Sequence, residues 1–331
     1  MRGRAAKLLP MAETMQLSVS LPMAGAWATP ANILRVAQRA EALGYGSVWT
    51  ISRLLYALEP RNDYPAAPGE PWPEPFRSVA DSIVALAFVA SATERIRLAT
   101  GVINPLFYSP VMLAKQLATL DVLSEGRLTV GVGLGWSEDE YEAVGTPFRG
   151  RGRRLDEFLE CLTLLWTREE VEFHGEFYDV PRSIVEPSPV QRPHPPLLVG
   201  GYADAAFRRA VTLGDGYVAG NLPLAETAPL VARVRDAAEA TGRDPTGLHV
   251  VSRGRVELTE QPRGPGRRPL VGSLDEIHED IGRYREAGLS ELFLEFNLDV
   301  RLTAPESDPD ASLQHVLSLL EELSPARSHR P

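Results

Sequence analysis

Between Gly131 and Trp136 the chain reads GVGLGW, directly after GRLTV, a run with the composition of a buried strand. Glycine at every second position brings main chain within reach of a ligand, because no Cβ stands in the way. A phosphate is a poor match. The phosphate loop ends in Gly-Lys-Ser/Thr and the dinucleotide fingerprint needs G-x-G-x-x-G, and neither spacing is present. Ser137, Glu138, Asp139 and Glu140 follow, so a helix starting there fills its own positive end with acid and repels a pyrophosphate. A flat, uncharged group lying beside Gly133 and Gly135 is compatible with the pattern.

Other apolar runs end in comparable residues: Ser52-Arg53; GVINP, with Gly101, Val102 and Asn104; Gly200-Gly201-Tyr202; Gly220-Asn221; Ser252, Arg253 and Arg255; and Phe296-Asn297. Metal-assisted hydrolysis has little support, since no His-x-His or carboxylate cluster falls there and all six histidines come after residue 173. The G-x-S-x-G elbow is missing. The two lysines, Lys7 and Lys115, lie in the leader and in a helical pattern, so no strand end offers a Schiff-base amine. Glycines, the aromatics Trp49, Phe107, Tyr108 and Trp136, and arginines suit a flat ring carrying an acidic tail. The amides of Gly200, Gly201 and Tyr202, at the start of a helix, suit a phosphate on it. A tight strand-to-helix turn explains any one of these glycines; only their placement on one rim points to a cofactor.

That rim requires a particular set of elements. Short apolar runs at 17–21, 47–51, 96–100, 128–132, 197–199, 216–219, 248–256 and 291–295 alternate with amphipathic segments, the pattern of repeated βα units around a parallel sheet. Helices are expected from Pro30, capped by Thr29 and closed by Gly44, and over 76–92, 110–123, 153–166, 203–213, 224–240, 274–287 and 311–323. Eight such units close into a (β/α)₈ barrel with its chemistry at the C-terminal strand ends. A doubly wound sheet would put a glycine fingerprint after its first strand, where this chain has PMAGAWATP. Three long connections, 53–75, 168–196 and 259–272, read as insertions in one domain over 15–325. The first, holding six prolines, emerges at the mouth as a lid. The second contains a hairpin around His174-Gly175, and the third is a mobile Gly/Pro/Arg loop.

Composition narrows the partners. The 331 residues are 44% hydrophobic and 24% charged with a formal net charge of −10, which favours a small-molecule substrate over nucleic acid. No run is long enough to span a bilayer. The single cysteine, Cys161, sits in an apolar helical pattern and fits a reducing cytoplasm. Residues 1–14 carry no secretory pattern and read as a disordered leader, an over-long start with Met11 or Met15 as the true one.

The run from Ile96, IRLATGVINPLFYSPVMLAKQLATLDVLSEGRLTVGVGLGWSEDEYEAVGTPFRGRGRRLDE, closely resembles the bacterial luciferase-like flavin and deazaflavin oxidoreductases, in particular the branch that uses coenzyme F420. GYGSVW, HGEFYDV with PSPVQRPHPPLLVGG, and LGDGYVAGN resemble it too, in order over about residues 15–300. The resemblance implies a barrel with insertions, F420 (in other branches FMN) at the C-terminal mouth, and hydride transfer to or from the ring. It implies a non-prolyl cis peptide at Gly101-Val102 that props the ring, a pocket wall of Gly133, Gly135 and Trp136, and a phosphate-binding turn at Gly200 and Gly201, where Tyr202-Ala203 replaces the family's serine. It also implies a homodimer, as relatives often are.

One departure bears on the chemistry. Where the F420 branch commonly has Asp-His near the ring, this chain has Ser52-Arg53, and an arginine cannot serve as a general base. Arg53 could still polarise a carbonyl or pair with an anion. Any acid then comes from the neighbourhood of Trp49 or Trp136, or from Tyr56, Tyr108 or Glu138. Arg149, Arg151, Arg153, Arg154, Arg253 and Arg255 could meet a polyglutamate tail, or simply sit in solvent. The expected function is F420-dependent hydride transfer to a small organic substrate. The alternatives are an FMNH₂- and oxygen-dependent monooxygenase of the same fold, or a cofactor-binding protein that has lost catalysis.

Overall fold

The computed structural model describes residues 15–325, and the expected leader at 1–14 lies outside them. Eight parallel strands form a closed barrel: β1 (Gln16–Ser20), β2 (Ser47–Thr50), β3 (Arg97–Thr100), β4 (Leu128–Val132), β5 (Leu197–Val199), β6 (Gly216–Asn221), β7 (His249–Arg255) and β8 (Glu291–Glu295). Each pairs with its sequence neighbour, and β8 closes on β1 through Gln16–Glu291 to Val19–Leu294. All eight expected strands are present, shifted by no more than a residue or two at their ends.

Two apolar layers hold this arrangement. Outward residues such as Leu17, Val19, Leu98, Val130 and Leu292 pack under the helices. Inward residues Trp49, Ala99, Leu198, Val218, Val251 and Phe293 plug the barrel. Trp49 stacks on Phe293 with centroids 4.7 Å apart, and its indole N–H donates to Glu291 Oε1 at 2.7 Å, so the large ring is buried without an orphaned donor.

Helix ends follow local chemistry. Thr29, Ser109 and Asp308 each cap a helix that begins with proline: Pro30–Ala42, Pro110–Leu123 and Pro309–Glu322. The helix expected over 76–92 is shorter, Ser82–Ala90 capped by Asp81, preceded by a 3₁₀ turn at Glu74–Arg77. The reason is tertiary. Val79 bridges Ala24 and the Ala80 N–H donates to the Met23 carbonyl, which needs extended backbone where the apolar pattern alone continues the helix. Among the described residues no helix is long and apolar enough to cross a membrane.

Carboxylates pin the insertions. The expected hairpin is there, Val171–His174 against Asp179–Ser183, and Glu157 accepts from the N–H groups of Glu176, Phe177 and Tyr178 at its tip. Asp121 accepts from Val190 N, Gln191 N and Gln191 Nε2. The 259–272 loop, expected to be mobile, is instead clasped. Glu257–Leu258 pairs with Val271–Gly272, and Glu276 accepts from Arg263, Gly264 and Ser273 N–H.

β3 and β4 approach unusually closely. The Thr100 hydroxyl donates to the Gly131 carbonyl at 2.8 Å and accepts from the Gly131 N–H at 2.9 Å. A Cβ at Gly131 would lie 2.1 Å from the Thr100 carbonyl oxygen. Gly131→Ala is therefore expected to destabilise the fold by about 3 kcal/mol through forced strand separation, read as a lower urea midpoint. The Arg263 N–H, aided by those of Ser273 and Gly264 and opposed by desolvation, holds the Glu276 carboxyl at about 2, against 4.5 ordinarily. A depressed folded value means the clasp is fully present above about pH 4.5 and fails as pH falls toward 2. Hydrogen exchange at those three amides, corrected for intrinsic rates, should accelerate over that interval in the wild type, whereas Glu276→Gln should already be fast near neutral pH.

Candidate active site

One cavity of about 680 Å³ opens at the C-terminal mouth of the barrel, a size that suits a cofactor with a small substrate. The Trp49–Phe293 stack lies beneath it, with Phe293 part of the cavity lining. Ser52 and Arg53 after β2, and Gly101, Val102 and Asn104 after β3, line it. So do Gly133, Gly135 and Trp136 after β4, and Gly200, Gly201 and Tyr202 after β5. Residues up to 150 positions apart in sequence therefore meet on one rim, as their strand-end positions required.

The glycines have a second reason to be there. The Gly101-Val102 peptide is cis. A Cβ at Gly133 would meet Val102 Cγ2 at 2.8 Å, and one at Gly101 would meet Trp49 Cε3 at 2.9 Å and the Thr50 carbonyl at 3.0 Å. Absent side chains thus serve the packing of β2, β3 and β4, and a bare main-chain wall is what that packing leaves facing the cavity. Gly135 differs, with φ of +62° turning the chain toward Trp136. The Asn104 side chain holds this turn, donating to the Leu134 carbonyl at 2.9 Å.

Arg53 is mostly buried, 9% exposed, and ion-paired with Glu140, 1% exposed, at 2.5 Å. Burial pulls the guanidinium pKa down while Glu140 pulls it back up, and it stays charged at any ordinary pH. The other Glu140 oxygen accepts from the Leu54 N–H at 2.7 Å. Arg53 lies 4.5 Å from the Trp136 ring centre and 5.7 Å from that of Phe76. Tyr64 packs on Phe76 and Trp136 at 5.4 and 5.3 Å, and Trp72 braces Trp136 edge-on at 4.7 Å. The 53–75 insertion is thus folded onto the mouth as an aromatic wall. Arg53 Nη1 is buried with no partner, an omission that costs about 1–3 kcal/mol or more for a charged donor unless something accepts from it.

Cations also face the cavity around β4 to β7. Arg151 opens the helix Arg151–Thr167 with its guanidinium 3.8 Å from the Phe148 ring, and its Nε has no partner. Arg253 on β7 likewise has a buried, unpartnered Nε. Arg209 is paired with Asp156. The helices Arg151–Thr167 and Asp204–Thr212 begin at Gly150 and Ala203, neither of which caps with a side chain. Their first amides remain available to an anion.

Several expected contributors lie elsewhere. Glu138 does not line the cavity; Glu140, two residues on, is the only carboxylate among the lining residues. S-x-x-E from Ser137 to Glu140 has the spacing of a capping box, which would turn Glu140 back on its own helix. Only half of it forms, as Ser137 accepts from Glu140 N–H while the Glu140 carboxylate goes to Arg53 and Leu54. Trp49 is sealed inside the barrel, Tyr108 does not reach the cavity, and Tyr56 donates to the Trp72 carbonyl. Arg153 pairs with Glu176, Arg154 stacks on Phe177, and neither they nor Arg149 and Arg255 line the cavity. Tyr64, Phe76 and Arg209 were not expected at the site. Among the described residues no His, Cys, Asp or Glu cluster could hold a metal.

Comparison with known proteins agrees with this architecture. The profile of the luciferase-like monooxygenase family matches residues 11–263. An uncharacterised protein of Mycobacterium tuberculosis is 38% identical over 227 residues, covering 66% of this chain and 75% of that one. An F420-dependent glucose-6-phosphate dehydrogenase of Kineococcus radiotolerans is 32% identical over 222 residues (65% and 60%). An FMNH₂-dependent dimethylsulfone monooxygenase of Pseudomonas putida is 36% identical over 140 residues (41% and 38%). Among solved structures, a monooxygenase from Streptomyces bottropensis superposes with a TM-score of 0.76 at 24% identity, covering 96% of this chain and all of that one. An F420-dependent secondary alcohol dehydrogenase superposes with 0.73 at 17%, covering 94% and 99%. With its closed eight-stranded barrel and glycine-rimmed mouth, the chain belongs to the luciferase-like monooxygenase family, whose members among its relatives depend on F420 or on FMN.

Proposed function

We propose that this protein is an F420-dependent oxidoreductase that moves a hydride between the deazaflavin ring and a small organic substrate. The observation that carries the reading is the pairing of a main-chain wall with unpartnered cations in one cavity. Gly101, Gly133 and Gly200 present backbone to a flat ring, while the orphaned Nε groups of Arg151 and Arg253 call for an anion. When bound, the deazaflavin supplies the hydride chemistry. The chain's part is to hold it: Val102 and Gly133 against the ring, the Gly200–Gly201 turn and the amides after Ala203 on phosphate, and Arg151 and Arg253 on the acidic tail.

The protein's side chains orient and exclude water; they offer little for proton transfer. Glu140 has both oxygens engaged, by Arg53 and by the Leu54 N–H. Burial pushes the Tyr141 hydroxyl up to about 12, and it donates to the Leu134 carbonyl. Hydride transfer to a carbonyl polarised by a fixed N–H suits such a site, with the proton for the resulting alkoxide taken from solvent at the open mouth.

F420 is favoured over FMN by the longer match with the F420-dependent relative, 222 residues against 140. The higher identity with the FMNH₂-dependent enzyme, 36% against 32%, keeps FMN as a second reading. Titration of the purified protein with each cofactor, followed by fluorescence, separates them: F420 should bind at micromolar concentrations or below and FMN far more weakly. Binding of FMN alone, with oxygen consumed when FMN is reduced, would replace the first reading with the second. Arg253→Met should weaken F420 binding by about 10- to 100-fold through loss of a charged contact. Binding of the isolated deazaflavin ring without its tail should be unchanged.

A further inference from the structure

We propose that Arg53 is the substrate anchor of this cavity and selects a neutral oxygen acceptor on an apolar or aromatic body, such as a ketone, aldehyde or amide, against the corresponding carboxylate. This deepens the hydride-transfer reading and rests on it for the substrate's reactivity, although the recognition itself is independent of any cofactor.

Three observations support it. The Arg53 side chain is nine-tenths buried and lines the cavity. Its Nε donates to the Ser52 carbonyl at 3.2 Å and its Nη2 to Glu140 at 2.5 Å, which leaves Nη1 as the donor without a partner. An acceptor oxygen from a ligand completes the set. The charge is already balanced, because Glu140 neutralises the guanidinium and almost none of either side chain is exposed. An incoming carboxylate would gain Arg53 but also meet the negative charge of Glu140, and would lose its hydration as well. A carbonyl oxygen needs only the N–H. Beside it, Phe76, Tyr64 and Leu54 offer an apolar surface for the rest of the molecule.

The position of the pair separates this end from the anion end. Arg53 follows β2, whereas Tyr202 and Gly220 close β5 and β6, across the mouth in the barrel order. Arg253 Nη2 lies 3.7 Å from where a Gly220 Cβ would stand, and the Tyr202 hydroxyl 2.5 Å from it. Arg209 on that side is paired with Asp156, but Arg151 and Arg253 have no ion-pair partner among the lining residues.

Benzamide and benzoate, matched in shape and differing in charge, are the probes, with binding to the full chain measured calorimetrically without added cofactor. Wild type should bind benzamide at least tenfold more tightly than benzoate. Glu140→Gln should invert that order by exposing an uncompensated cation. Because Arg53→Met alone leaves Glu140 buried and unpaired and could unfold the chain, the decisive variant is the double replacement Arg53→Met with Glu140→Gln, its fold checked by thermal melting. It should bind benzamide at least tenfold more weakly than wild type. Equal affinity of wild type for the two probes, no binding of either at 10 mM (roughly a −3 kcal/mol threshold), or benzamide binding that survives the double replacement overturns the proposal. If F420 and FMN titrations both fail while these outcomes hold, only the cofactor reading falls; if F420 binds and the double variant keeps its benzamide, only the anchor falls.

Discussion

Everything at the mouth of this barrel is arranged around one ion pair taken out of water. Arg53 and Glu140 come from different strand ends, are 87 residues apart in sequence and meet at 2.5 Å with almost none of either side chain exposed. Desolvation of such charges costs several kcal/mol per ion, recovered only when geometry and additional hydrogen bonds are good. Here the recovery comes from the Leu54 N–H on Glu140, the Ser52 carbonyl on Arg53 and the Trp136 face under the guanidinium. Because the pair joins the start of the 53–75 insertion to the short helix Glu138–Ala143, it settles where the insertion lies and which aromatic rings face the cavity.

A second constraint comes from the backbone. β3 and β4 are drawn together by Thr100, which both donates to and accepts from Gly131, and the approach is possible only without side chains at Gly131 and Gly133. The bare wall that suits a flat ring is therefore also a requirement of strand packing. One set of glycines satisfies the fold and the site together, which is why glycines at strand ends are weak signals singly and informative as a group.

The two ends of the cavity differ in charge balance more than in charge content. Each holds arginine. At Arg53 a carboxylate completes a neutral pair, whereas Arg151 and Arg253 line the cavity with no carboxylate partner among the lining residues. Charge balance depends on what lies opposite in space, and a charge count along the chain does not reveal it.

The division between sequence and tertiary structure follows from range. Strand positions, the Thr29–Pro30 helix start, the barrel and the residues of its rim were legible because they depend on local pattern: apolar runs of strand length, a Thr-Pro pair at a helix start, and glycine at strand ends. The helix shortened at Ser82, the clasped 259–272 loop and the choice of Glu140 over Glu138 were not, because Ala24, Glu276 and Arg53 decide them from elsewhere in the chain. The chain's own order of residues determined that a ring of strands would present backbone at one mouth. Which charges are cancelled there was decided only when distant side chains were brought together and sealed from water, since a carboxylate and a guanidinium acquire their meaning from the distance between them.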